Sequence, residues 1–163
     1  MNDVAGWTLG NEERTATMER WREKAREMLP ELASRFEPAL ENVDSPYTLW
    51  SELWGAFEEA YDKAPPDESL IRRIYQYSAW CCDQPRSNRA DDDLLTCVSV
   101  SFYEHIPRHP KARDDMPRWW QRADLAVGPG ERHVFEYFLD AEQFAELKKF
   151  LEYERDRYDP DLW

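Results

Sequence analysis

Three histidines, three cysteines and a run of three aspartates are the side chains in this 163-residue sequence best suited to chemistry. His105 and His109 are four apart, the spacing of two metal ligands on one helical face. Pro107 lies between them and no glutamate follows His105, whereas a catalytic zinc needs a defined third ligand. No metal site is therefore expected: His105 should line a helix end and His109 should face solvent. Cys81 and Cys82 are adjacent, and neighbouring cysteines inside a helix cannot bridge each other. A pairing of either with Cys97 across a helix interface stays open, but buried thiols acting as small hydrophobes are the favoured reading. Asp91, Asp92 and Asp93 could gather a cation. They also stand just before an apolar run starting at Leu94, where a helix N-terminus favours each acid by ~0.3–1 kcal/mol. Tyr103 and His105, with a nearby carboxylate, would suit general acid–base chemistry at a helix end. With five glycines, there is no phosphate-cradling loop and no nucleophile elbow, so no cofactor is expected.

The rings offer a second kind of site. Trp80, Trp119 and Trp120 sit near segment ends, where tryptophan serves either as a lid on the core or as an anchor for a partner. In the second case they would wall a groove with an acidic rim. Acids outnumber bases 34 to 21, for a net charge of −13, and the excess is heaviest in the last 33 residues. Such a surface repels nucleic-acid phosphates and anionic headgroups and attracts a basic protein. It also serves solubility alone. The longest uncharged stretch, Leu94 to Tyr103, is too short to span a bilayer. The first residues show no signal-peptide pattern, and three cysteines make no secreted framework. A cytoplasmic location is the default expectation.

The elements that must position these groups read as helices. One domain over 1–163 is expected, with 1–14 as a loose leader. Met18, Trp21, Ala25, Met28 and Leu32 step by three or four and predict a first helix, broken at Pro30. A shorter helix through Leu32, Ala33 and Phe36 should close at Pro38. Ser45-Pro46 predicts a capped start for a helix burying Leu49, Trp50, Leu53, Trp54, Phe57 and Tyr61. Pro65-Pro66 stops it, and Asp67 caps a helix carrying Leu70, Ile71, Ile74, Tyr77, Ser78 and Cys81. A loop over 83–90 leads into a helix through Leu94, Leu95, Val98, Phe102 and Ile106, ended by Pro107 and Pro110. Asp114-Asp115-Met116-Pro117 should start a short aromatic segment. The turn at Val127-Gly128-Pro129-Gly130 predicts a small hairpin near 125–135, and Asp140 with Gln143 predicts a final capped helix. The fold class is all-α, a bundle or stack of about five or six helices.

The stretches Ser45-Pro46-Tyr47-Thr48-Leu49-Trp50, Leu70-Ile71-Arg72-Arg73-Ile74-Tyr75 and Phe102-Tyr103-Glu104-His105-Ile106-Pro107 resemble a bacterial family of small helical proteins catalogued as a domain of unknown function. Asp115-Met116-Pro117-Arg118-Trp119-Trp120 looks like its trailing motif, and the match spans roughly 28–120. The family brings no catalytic residue with it. In size, acidity and helical make-up it is similar to immunity proteins that neutralise bacterial toxins, a likeness of architecture. The favoured expectation is an acidic binding protein, an immunity-type partner of a basic toxin domain. The alternatives are a small enzyme using Tyr103, His105 and a carboxylate, and a structural subunit of an assembly.

Overall fold

The computed structural model describes residues 20–89, 91, 93–119, 141, 142 and 145. Among them all regular structure is helical: α1 (20–28), a 3-10 turn (Pro30–Leu32), α2 (Ala33–Asn42), α3 (Pro46–Asp62), α4 (Glu68–Cys82), α5 (Leu94–Val98), a π turn (Ser99–Tyr103), a second 3-10 turn (Ile106–Arg108) and α6 (Pro110–Trp119). The all-α expectation holds. The leader, the hairpin near 125–135, Asp92 and Trp120 lie outside the described residues. Of the expected final helix, 141, 142 and 145 are described and helical.

Three helix starts follow from local chemistry. Ser45 Oγ accepts from Tyr47 N at 3.2 Å, and Pro46 occupies the first helical position. Asp67 Oδ1 accepts from Leu70 N at 3.2 Å. Asp93 Oδ2 accepts from Thr96 N at 3.2 Å. Each side chain satisfies a donor that the helix itself cannot.

Two prolines correct the sequence reading. Pro38 does not close α2, which runs on to Asn42. An interior proline costs about 3 kcal/mol. Burial of Phe36 and Leu40 on the same helix, at ~1.5–3 kcal/mol each, outweighs it. Ser34, whose carbonyl loses its usual partner, is exposed and open to water. Pro110 does not end a helix but begins α6, so Asp114 and Asp115 lie inside that helix rather than at its start. His109 is not simply in solvent: its Nδ1 accepts from Ala112 N at 3.2 Å, capping α6, and its ring lies 5.6 Å from that of Tyr61.

Helices α3 and α4 meet the π turn at Phe102. Its ring centroid lies 4.9 Å from Phe57, 5.1 Å from Trp50, 5.3 Å from Tyr75 and 5.3 Å from Tyr103. The π turn makes this possible. Glu104 N donates to Ser99 O at 3.0 Å, one residue further back than in an α-helix. The extra residue shifts the register, so that consecutive Phe102 and Tyr103 are both buried while Val100 is 43% exposed. Trp119 extends the cluster through Tyr75, with ring centroids 6.4 Å apart. Tyr77 Oη donates to Trp21 O at 2.9 Å and ties α1 to α4.

Charged pairs stitch the helices from outside. Arg22 and Arg26 share Glu37, Arg73 holds Glu31, and Arg118 holds Glu68 at 2.7 and 2.8 Å. Arg35 reaches from α2 to Glu52 and Glu59, passing over Gly55, where a side chain would meet its guanidinium. Exposed pairs contribute about 0–1 kcal/mol each, so they fix how the helices sit while the rings supply the stability.

Tyr75 Oη is buried and has no hydrogen-bond partner among the described residues. A buried, unsatisfied hydroxyl costs about 1–3 kcal/mol. Tyr75→Phe is therefore expected to raise stability by about 1 kcal/mol, read as a higher urea midpoint with unchanged slope. A lowered midpoint would mean that the hydroxyl is bonded.

Candidate functional site

The structure separates the two groups of the acid–base alternative. Tyr103 is buried, and its hydroxyl lies 2.9 Å from Ser78 Oγ and 3.9 Å from Cys82 Sγ, facing α4. Burial, with the neighbouring Cys82 as a lesser cause, pushes the phenol well above its usual range. It stays protonated and committed within the core. His105 turns instead toward α3, half-buried against Trp54 with ring centroids 5.3 Å apart.

The aspartates also divide. Asp93 is 2% exposed. Its carboxylate takes Arg86 Nε and Ser87 N on one oxygen, both at 3.0 Å, and Thr96 N and Oγ1 on the other. It ties Arg86 and Ser87 to the start of α5, so its role is structural. Burial pushes its carboxyl up, but the bonds from Thr96, Ser87 and Arg86 outweigh that and hold it below the ordinary value. Asp91 is exposed and paired with Arg89 at 2.6 Å. Among the described residues, no group of three His, Cys, Asp or Glu side chains is placed to hold a metal ion.

Trp119 is buried rather than set at a groove. Its indole Nε1 donates to Asp115 Oδ2, which also accepts from Tyr61 Oη at 3.0 Å. The Arg118 guanidinium sits 4.5 Å from its ring centre and that of Arg72 5.7 Å. Trp80 is half-buried and stacks on Tyr77 at 5.9 Å. Cys81 and Cys97 are buried, and no disulfide joins them to each other or to Cys82. Burial drives the Cys81 thiol well up and pushes Cys97 to about 12. Neither supplies a thiolate near neutral pH.

Of the side chains singled out by sequence, His105, Trp80 and Asp91 thus keep accessible surface, while Tyr103, Asp93 and Trp119 are buried. Sequence reasoning placed Trp54 in the core and missed it as the partner of His105. The two lie on different elements 51 positions apart, so no spacing along one helix signals the contact. No helix among the described residues is long and apolar enough to cross a membrane. No family model, no curated protein and no solved structure matches this chain.

Proposed function

We propose that this protein is an acidic binding protein, an immunity-type partner of a basic toxin domain, acting in the cytoplasm. The observation that carries the reading is how charge is divided. The cations Arg22, Arg26, Arg35, Arg73, Arg86 and Arg118 are committed to carboxylates of the same chain. Acids remain in excess: Glu23, Glu41, Glu58 and Glu104 enter no ion pair with a described residue, and the whole chain carries −13. A surface of that kind steers a cationic partner and raises its on-rate. The buried, protonated Tyr103 weighs against the acid–base alternative.

The test begins with the genes beside this one. A neighbour encoding a large protein with a basic C-terminal domain supplies the candidate partner. Co-expression of that domain with this chain should restore growth, and the two should co-purify at low salt and separate as salt rises. Undiminished toxicity with no complex at low salt would reject the proposal.

A further inference from the structure

The geometry points to the face between α3 and the π turn as the surface that receives arginine side chains of a basic protein partner. This rests on the basic-partner reading above and adds the place. Tyr47, Ser51, Trp54 and Glu58 step by four, three and four along α3, so they share one side of it. Trp54 meets His105 across the interface, 5.3 Å between ring centres. Tyr47 lies at the other end, near Cys97, Asp93 and Asp91; burial first, and then these acids, raise its phenol. In the π turn that leads to His105, Val100 is 43% exposed, and only Val43 is a more exposed large apolar side chain among the described residues.

The chemistry of this face selects its occupant. It offers the half-buried rings of Trp54 and His105, with Glu58 one helical turn beyond Trp54 on α3 and Glu104 next to His105 in the chain, and Glu58 and Glu104 make no ion pair with a described residue. A guanidinium can lie flat on an indole and bond a carboxylate through its planar fork. An ammonium does neither as well. The same acids repel phosphate, which excludes a nucleic acid or an anionic membrane here. Arg118 over Trp119 beside Glu68 already displays this arrangement within the chain.

The test uses the full chain with nona-arginine and nona-lysine peptides, titrated at low salt by tryptophan fluorescence. The Glu58→Lys/Glu104→Lys double variant should weaken nona-arginine binding about tenfold or more, as expected for groups facing the ligand. Glu23→Lys/Glu41→Lys changes net charge equally and should weaken it less than about threefold. Nona-arginine should bind more tightly than nona-lysine, and Trp54→Leu should remove that preference. Melting curves establish that each variant folds, and Glu58→Gln/Glu104→Gln replaces the reversal if it does not. Equal weakening by the two double variants overturns this surface and leaves the basic-partner reading standing. No binding of either peptide by the unmodified chain overturns both.

Discussion

Phe102→Ala is expected to cost about 3–5 kcal/mol of stability, the range for emptying a large aromatic site in a packed core. The side chain is fully buried, and rings from α3, α4 and the π turn itself close on it. Truncation removes the transfer term and leaves a cavity whose rigid aromatic walls collapse poorly. Natural domains are stable by about 5–15 kcal/mol, so this one change consumes much of the margin. Urea unfolding followed by tryptophan fluorescence gives the value directly. Phe102→Leu keeps part of the volume and should cost well under half as much. A loss below about 1 kcal/mol for the alanine variant would show that the rings do not meet at Phe102.

Asp93→Ala is expected to cost about 3 kcal/mol. Loss of the cap contributes about 0.5–2 kcal/mol, and the amides of Ser87 and Thr96 lose their acceptor in a partly buried place, about 1–3 kcal/mol. Arg86 is 65% exposed and returns to water, which keeps the loss below that of a fully buried broken pair. Asp93→Asn retains an acceptor for the cap and should cost about 1 kcal/mol. The pH dependence follows from the direction of the shift. The folded carboxyl lies below its ordinary value. Its contribution is therefore full above the unfolded value, about 3.9, and is lost as pH falls through the folded one. The stability gap between the natural chain and Asp93→Asn should be clear at pH 7 and narrow below about pH 4. A gap that stays constant down to pH 3 would mean that the charge does not matter.

Much of the scaffold was legible because it is local. Ser45, Asp67 and Asp93 each stand just before an apolar helical stripe, and a cap needs only its own three following residues. Proline was less legible because one residue type opens helices, ends them and occasionally sits inside them. Pro46 was read correctly; Pro38 and Pro110 were not, since burial of Phe36 and Leu40 and the His109 cap decide those cases. The site was harder still. Ser78 captures the Tyr103 hydroxyl from 25 positions away, and Trp54 meets His105 from another helix; spacing along one element cannot report either. Trp119 bonding Asp115 is a four-residue step within α6, hidden when Asp115 is read as opening a short aromatic segment rather than as lying inside a helix.

The crowding of rings around Phe102 also has an optical consequence. Trp50 stands 5.4 Å from Tyr77, and Trp54 lies 5.5 Å from Phe57 and 6.2 Å from Phe102. Transition dipoles this close couple, so the far-ultraviolet circular dichroism of this protein carries a ring contribution on top of its helical bands. The Trp50–Tyr77 and Trp54–Phe102 parts of that contribution depend on the mutual orientation of α3, α4 and the π turn and fall away when these separate. Followed beside the helical signal, it distinguishes loosening of the core from melting of the backbone in a single spectrum.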